Sequence, residues 1–285
     1  MRYSAIREHE GEFRMTTMCR ALGVSRSGYY DWRRRGLSER ALANIRLLDR
    51  IRRIHAQSRE NYGGRKLWRA LVASGERCGR HRVARLCSAY GIAAKRMRRF
   101  RSVYRSEQRP AAPNLLHRHF HADRADRLWA GDTTFIPTRE GWLYLAVLID
   151  LYSRRVVGWA MGQRMNQALA NDALTMAIQH RQPKVGLIHH SDRGVLYGSA
   201  SYQAILHHHG MIQSQSRKGD CYDNAVVESF FASLKNELTW HCRFKTRDEA
   251  KAAVFDYIEV FYNRQRLHET LDYVSPVRYE GRVVA

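Results

Sequence analysis

Three acidic residues have sequence surroundings that would hold a carboxylate in place. Asp132 lies inside the apolar stretch LWAGDTTFI, Asp192 ends an apolar strand-like segment, and Glu228 lies in a helical pattern. Burying an unpaired acid is costly because desolvation disfavours its charged form, and two carboxylates about 4 Å apart repel by roughly 4 kcal/mol at an effective dielectric of about 20. A divalent cation offsets both costs, and oxygen ligands of this kind suit Mg²⁺ or Mn²⁺. Taken singly, an acid of this kind is more often an ordinary surface or capping residue.

The helical pattern around Glu228 has one apolar face. Its members recur at three- and four-residue spacing and are Val227, Phe230, Phe231, Leu234 and Leu238. At roughly 100° per residue, Glu228 lies about a quarter turn from the middle of this face. Lys235, seven residues later, returns to nearly the same angle. The helix therefore presents an acid and a base along the edge of its buried face.

The spacing of the acids and the phrases around them resemble one family. Thirty-five residues separate Asp192 from Glu228, which is the D,D(35)E arrangement of retroviral integrases and bacterial insertion-sequence transposases. The phrases HSDRG, DNAVVESFFASLKNE and YNRQRLHETLDYVSP are similar to the second-frame (orfB) integrase of the IS-three family. The resemblance covers essentially the whole chain, most tightly residues 114–279. The sequence has GDTT where many relatives have TDIT, which leaves the acid in place.

The resemblance implies a ribonuclease-H-like catalytic core with Asp132, Asp192 and Glu228 as its catalytic and metal-ligating residues. It implies two Mg²⁺ (or Mn²⁺) ions per active site, with Asp132 as the shared ligand. The implied activity is DNA strand cleavage and then strand transfer, in which a 3′-hydroxyl attacks a second phosphodiester. Lys235 would contact a phosphate of the element-end DNA.

The resemblance also implies the partners. These are double-stranded DNA of the element's terminal inverted repeats, target DNA, and further copies of the chain in a DNA-assisted homo-oligomer. In the family, a leucine-zipper segment belongs to the first reading frame (orfA) and joins by frameshifting. We therefore expect an orfA segment as a fusion or a partner.

The basic charge of the chain is concentrated in its N-terminal part. The formal net charge is +22, and residues 1–110 carry 28 Lys and Arg against 9 Asp and Glu, whereas residues 111–285 carry 21 against 18. This distribution predicts a nucleic-acid partner. We expect no membrane partner, because no apolar run is long enough to span a bilayer. The five cysteines form no CxxC pair, which fits reduced thiols in a cytoplasmic, nucleoid-associated protein.

The sequence predicts three domains. Residues 1–45 read as a helix-turn-helix module, 46–112 as a second helical DNA-binding module with a basic linker, and 113–285 as the catalytic core with a C-terminal helix. In the first module, Thr16 or Thr17 would cap one helix and Ser25 the next. A plain helical hairpin stays open as the alternative, because Gly28 lies inside the proposed recognition helix.

Basic side chains on the predicted exposed faces are candidates for DNA contacts. Besides Lys235, they are Arg26, Arg33, Arg34, Arg65, Lys66, Arg80, Arg82, Arg98 and Arg99. Two histidine groups, HRHFH at 117–121 and the run at 207–209, could suggest a metal site. We interpret both as polar residues on the rim of a strand or helix.

The catalytic part has an α/β pattern. Three strands joined by short turns predict an antiparallel meander, and strand–helix alternation follows it. The predicted strands are Leu128–Ile136, Trp142–Leu151, Val156–Met161, Val185–His189 and Met211–Ser214. The predicted helices are Asn166–His180, Ser199–His209 and, beyond the helix of Glu228, a long helix Thr246–Glu269.

Two other functions stay open at this level. A DNA-binding regulator could recognise element ends without cutting, although a repressor needs no buried carboxylates. A metal-dependent nuclease could cut without joining strands, and sequence does not separate cutting from joining.

Overall fold

The chain begins with a small helical module that has its own core. In this computed structural model, residues 1–95, 112–116, 122–216 and 224–282 are described. The first helices are α1 (Arg2–Glu8), α2 (Met15–Ala21) and α3 (Arg26–Arg34). Their buried side chains are Ile6, Met18, Cys19 and Tyr29. The helix-turn-helix order predicted for this segment is therefore present.

The caps of this module are partly as predicted. The Ser25 hydroxyl accepts the Gly28 N–H at 3.0 Å and caps α3, as expected. The predicted Thr16 or Thr17 cap is wrong, because α2 begins two or three residues earlier, after Arg14, and has no side-chain cap. Gly28 is explained by a close approach: a Cβ there would lie 2.7 Å from the Tyr3 hydroxyl. The glycine thus lets α1 pack against α3.

A second helical module follows and shares its core with the catalytic domain. Its helices are α4 (Glu39–Gln57), α5 (Gly64–Ala73) and α6 (Arg80–Ala89). Tyr62, between α4 and α5, donates its O–H to the Gln265 carbonyl at 3.1 Å and accepts the Leu267 N–H at 2.8 Å. Leu47, Leu67 and other apolar residues of this module belong to the same buried cluster as the catalytic domain's core. The two parts are therefore one packed unit.

The catalytic domain is built on a mixed five-stranded sheet of order β3-β2-β1-β4-β5. The strands are β1 (Leu128–Thr138), β2 (Gly141–Asp150), β3 (Val156–Gly162), β4 (Ile188–Ser191) and β5 (Ile212–Gln215). β1, β2 and β3 pair antiparallel, whereas β4 pairs parallel with both β1 and β5. Three antiparallel strands followed by strand–helix alternation confirm the predicted ribonuclease-H-like α/β core.

Helices cover both faces of the sheet. They are α7 (Gln167–Arg181), α8 (Ala200–His208), α9 (Ala225–Glu237), α10 (Arg247–Phe255) and α11 (Pro276–Gly281). α7 and α8 pack on one face, and α9 and α10 pack on the other. Gly158 of β3 lets α7 approach closely, because a Cβ there would lie 2.4 Å from the Ala173 carbonyl oxygen. The central strand, β1, is thereby covered on both sides.

Two predicted elements have other bounds. The strand predicted at Val185–His189 begins instead at Ile188. Gly186 takes a positive φ of 90°, and its N–H donates to the Gly210 carbonyl, so the chain turns here before β4 begins. The long helix placed at Thr246–Glu269 is wrong in its second half. α10 continues as a π-helical segment only to Tyr262, where the Asn263 side chain bonds the backbone N–H and carbonyl of Val156. Tying the chain to β3 ends the helix there.

None of the helices in the described part of the chain is long and apolar enough to cross a membrane.

Candidate active site

The register of the sheet places two of the three acids side by side. β1 and β4 are neighbours and run parallel, with Gly131 opposite Ser191 as the last paired position. Asp132 and Asp192 are each the next residue along their strands. Because the two strands run parallel, Asp132 and Asp192 lie side by side where β4 ends. The sequence separation of 60 residues is thus closed by one strand pairing.

Backbone amides hold both carboxylates. Asp132 Oδ1 accepts the Thr133 N–H at 2.7 Å, and Asp192 Oδ1 accepts the Gly194 N–H at 2.8 Å. Both residues are half-buried, and a Cβ at Gly194 would lie 2.7 Å from Asp192 Oδ1. In each aspartate, one carboxylate oxygen therefore accepts a backbone hydrogen bond, and the other oxygen is available to a ligand.

The third acid comes from α9. Val227, Phe230, Phe231 and Leu234 are its buried residues, as predicted, whereas Glu228 is exposed. Leu238, also predicted on the buried face, is instead the half-buried residue that follows the helix. The buried Asn224 precedes α9, and its amide donates to the Gly131 carbonyl at 3.3 Å. This hydrogen bond ties the start of the helix to the strand residue before Asp132.

The charges of the site are coupled. Burial, together with the charges of Asp192 and Glu228, raises the pKa of Asp132 to about 8. Burial also raises the pKa of Asp192 and that of Glu228. Burial lowers the pKa of Lys235, while the charge of Asp132 opposes this shift. A cation placed among these acids would reverse the shifts of the three carboxyl groups.

The donor set suits a hard divalent cation, although no closed cluster exists beforehand. Within residues 1–95, 112–116, 122–216 and 224–282, no three or more His, Cys, Asp or Glu side chains form a ready metal site. Three carboxylates repel one another until a cation bridges them, so this separation is expected. All three side chains offer only oxygen ligands, which fits Mg²⁺ or Mn²⁺. Their surroundings disfavour the charged carboxylates, and a cation would offset that cost. The histidine run at 207–209 forms no metal site, and residues 117–121 lie outside the described ones.

A row of aromatic and hydroxyl groups lies behind the two aspartates. The Tyr197 hydroxyl is 3.2 Å from Thr133 Oγ1, and the Tyr202 hydroxyl is 2.8 Å from His189 Nε2. Tyr197, Tyr202 and His189 are buried and pack ring against ring. The sequence alone assigned no role to Tyr197. Its contact with Thr133 supports the strand position next to Asp132.

His190 is a buried residue of β4, two positions before Asp192. Its Nδ1 lies 2.9 Å from the Ser214 hydroxyl, and its Nε2 lies 3.3 Å from the Ser216 hydroxyl. Both contacts join β4 to β5, so His190 holds the strand that carries Asp192.

The predicted DNA-contact residues differ in how available they are. Arg26, Arg34 and Arg80 are exposed, and Arg34 also lies 3.9 Å from the Asp31 carboxylate in an exposed pair. Arg33 pairs with Glu10, Arg65 pairs with Glu269, and the Arg82 Nε donates to Asn44 at 2.8 Å. Lys66 is half-buried with its Nζ over the Tyr62 ring, and Lys235 Nζ lies over the Phe135 ring. Arg98 and Arg99 lie outside the described residues.

The shifted pKa of Asp132 predicts a pH effect on the metal-free protein. The pKa of about 8 in the folded state exceeds the value near 4 expected in an unfolded chain. The folded state therefore holds a proton that the unfolded state has lost, and stability falls as pH rises from about 4 to 8. Asp132→Asn should flatten this fall in thermal unfolding with a chelator, whereas exposed Asp172→Asn should not. An unchanged pH profile in Asp132→Asn would contradict the burial of this charge.

Comparison with protein families assigns the chain. Residues 122–221 and 228–283 match two models described as integrase core domains, and residues 43–100 match an HTH-like domain. The transposase InsF for insertion sequence IS3A of Escherichia coli (strain K12) is 43% identical over 288 residues, covering 100% of both chains. The chain belongs to the IS3 family of insertion-sequence transposases.

Two further matches are a protein of another insertion element and a solved viral structure. An uncharacterized 31 kDa protein of insertion element IS600 from Shigella sonnei is 45% identical over 266 residues, covering 93% of this chain and 98% of that protein. The HTLV-2 integrase catalytic core domain in complex with magnesium aligns with 15% identity and a TM-score of 0.43, covering 55% of this transposase and 98% of that chain. As an IS3-family transposase with an integrase core, the chain is a polynucleotidyl transferase that binds DNA.

Proposed function

We propose that this IS3-family transposase cleaves DNA at its element ends and joins the released 3′-hydroxyl to a second phosphodiester, at a two-metal site made by Asp132, Asp192 and Glu228. The observation that supports this most is the parallel pairing of β1 and β4, which brings Asp132, inside β1, beside Asp192, the first residue after β4. α9 adds the third acid and is tied to β1 through Asn224.

The three acids would hold the metal ions, and neighbouring groups would orient the acids and the DNA. Two Mg²⁺ or Mn²⁺ ions, when bound, would activate the attacking oxygen and stabilise the leaving oxygen of an in-line displacement at phosphorus. Asp132, on the central strand, would be the ligand common to both ions, with Asp192 and Glu228 completing one each. The Thr133 and Gly194 amides fix the orientation of the two aspartates. Lys235, on the same helix as Glu228, would neutralise a phosphate of the element-end DNA.

The helical modules would supply most of the DNA affinity. The proposed division is 1–45 and 46–112 for DNA binding and 113–285 for catalysis, although α4 runs across the first boundary. Their partners would be the terminal inverted repeats, with target DNA reaching the catalytic domain at the joining step. The net charge of residues 1–110, +19 against +3 for the remainder, supports this division.

Strand joining tests the proposal directly. The full chain is incubated with linear DNA carrying the cognate ends plus Mg²⁺ or Mn²⁺, and joined products are sought. Cleaved ends without joined products would identify a nuclease, and binding without cleavage would identify a regulator.

We expect the basic surface to set the salt dependence of DNA binding. Arg26→Gln combined with Arg34→Gln removes two exposed charges, so the slope of log K against log salt should become shallower by about 1.8. Fluorescence anisotropy with element-end DNA measures the slope. The full chain is used because the second helical module shares a core with the catalytic domain.

The matched control removes two exposed charges at the far end of the sheet, with Arg124→Gln and Lys184→Gln. This variant should keep a slope close to that of the parent protein. Equal changes in the two double variants would contradict the N-terminal location of DNA affinity.

The active form is expected to be a DNA-assisted multimer, because joining requires two DNA ends to be held together while each site handles one phosphate. The chain alone should be monomeric or weakly dimeric, and end DNA should drive a discrete larger complex. An orfA segment, as fusion or partner, would strengthen assembly. Light scattering with and without end DNA measures the mass. A one-to-one protein–DNA complex that still joins strands would contradict this expectation.

A further inference from the structure

A cavity of about 900 Å³ lies where the second helical module meets the catalytic helix. One wall comes from residues 61–66, at the start of α5. The other wall is one stripe of α9, formed by Ser229, Ala232, Ser233 and Asn236. These side chains are short and mostly polar, so they leave room beside the helix. At roughly 100° per residue, this stripe is centred about a quarter turn from the edge that carries Glu228 and Lys235.

The charge of this cleft is unbalanced. Four basic residues line it, Arg65, Lys66, Lys95 and Arg266, against two acidic ones, Glu237 and Glu269. Arg65, Lys95 and Arg266 each have a carboxylate partner. Lys66 has no carboxylate partner within the described ranges, and burial, followed by the charge of Arg266, lowers its pKa to about 8. A bound anion would supply the missing opposite charge.

Two sets of hydrogen-bond donors face the same space. No side chain caps the N-terminus of α5, a ten-residue helix whose N-cap residue is Gly63. The free amides and the helix dipole at such an end favour an anion. Asn61 also lines the cleft and is only 7% exposed, yet neither its amide nitrogen nor its carbonyl oxygen has a partner among the residues described. Buried amides are normally paired, so an unpaired one points to a missing ligand.

We infer that this cleft binds a phosphate of the DNA backbone, held between Lys66, the Asn61 amide and the first amides of α5. The inference rests on the proposed function, because it takes the element-end DNA as the source of the phosphate. A DNA strand whose scissile phosphate lies at Glu228 would follow the surface of α9 for about a quarter turn and so reach the cleft. The same phosphate would then touch the helical module and the catalytic helix, which couples end recognition to the position of the active site.

Lys66→Gln in the full chain tests the inference with element-end DNA and a chelator, so that no cleavage occurs. One lost phosphate contact should weaken binding roughly tenfold at low salt and make the slope of log K against log salt shallower by about 0.9. Lys66→Arg should retain the wild-type slope. The matched control is Lys184→Gln, an exposed lysine elsewhere, which should change affinity less than about twofold.

Neutral methylphosphonate, placed at one DNA phosphate at a time, locates the contact. One position should weaken binding by the wild-type protein and have no effect on Lys66→Gln. Asn61→Asp places a carboxylate in the cleft and should weaken binding at that same position. Lys66→Gln that binds like wild type at every position would overturn the inference.

A free phosphate-containing anion is the alternative occupant of the cleft, and binding of inorganic phosphate or of a mononucleotide tests for it. Saturable binding of either one that Lys66→Gln abolishes, with the DNA slope unchanged, would overturn the DNA assignment in favour of a free anion. Strand joining by the wild type is assayed separately. Joining with an unaffected Lys66→Gln slope would overturn the cleft alone, whereas a Lys66 effect without joining would overturn the transferase proposal and keep the cleft.

Discussion

Asp132→Asn is expected to lower strand cleavage and joining by at least about 10³-fold while leaving the affinity for element-end DNA within about twofold. The amide keeps the size of the side chain but removes the charge that a cation would bind, and metal stabilisation of the transition state is worth several kcal/mol. Since Asp132 lies inside β1 beside Asp192, rather than on the basic helical modules, end binding should persist. Gel assays of cleaved and joined products, beside anisotropy of binding, measure the two effects.

Asp192→Asn and Glu228→Gln should have losses of the same order. Asp172→Asn is the matched control, because Asp172 is an exposed acid on α7. Any one of the three variants that retained substantial cleavage would remove that residue from the ligand set. Loss of end binding together with loss of cleavage would instead indicate a damaged fold.

The comparison between Asp132→Asn and Glu228→Gln adds a second readout. Burial raises the pKa of Asp132 to about 8, so its replacement by a neutral amide removes a desolvated acid and should raise the melting temperature without metal. Glu228 is more exposed than Asp132, so its replacement should change that temperature less. Equal activity losses with different stability effects would separate the catalytic role of these acids from their role in folding.

The parts of this site that sequence could predict are those that depend on local patterns. Three- and four-residue spacing in α9 placed Val227, Phe230 and Glu228 correctly, because a helical face follows from spacing alone. The meander of β1, β2 and β3 followed from apolar runs and short turns. The acid spacing and its surrounding phrases identified the family.

Other features depend on partners far apart in the chain, and no local pattern reveals them. Asn263 ends the helix after Tyr262 because its side chain reaches Val156, more than a hundred residues away. Tyr62 hydrogen-bonds Gln265 and Leu267 and so joins the second helical module to the C-terminal part of the chain. The sequence predicted separate domains for DNA binding and catalysis and gave no sign of this shared core. The unpaired Asn61 likewise gains its meaning only when α5 lies against α9.

Arg266→Met is expected to destabilise the protein by about 3–5 kcal/mol, because it leaves the Glu237 carboxylate buried without its partner. The two side chains are each 11% exposed, with Arg266 Nη2 2.7 Å from Glu237 Oε1. The Tyr257 hydroxyl also donates to Glu237, at 2.8 Å, and Arg266 Nη2 donates to the Ser233 hydroxyl at 3.1 Å. This network joins the end of the catalytic helix to the segment after the π-helical turn.

Thermal and urea unfolding measure the change, which corresponds to a fall in melting temperature of roughly 10 °C at about 2–4 °C per kcal/mol. Lys251→Gln is the control, because its pair with Asp248 is exposed and screened by solvent, so its loss should change stability little. Adding Glu237→Gln to Arg266→Met should recover part of the loss, since the uncompensated charge is then gone. If Arg266→Met alone unfolded like the Lys251 variant, the pair would not hold α9, and the position of Glu228 would have to depend on Asn224 and the apolar face of the helix.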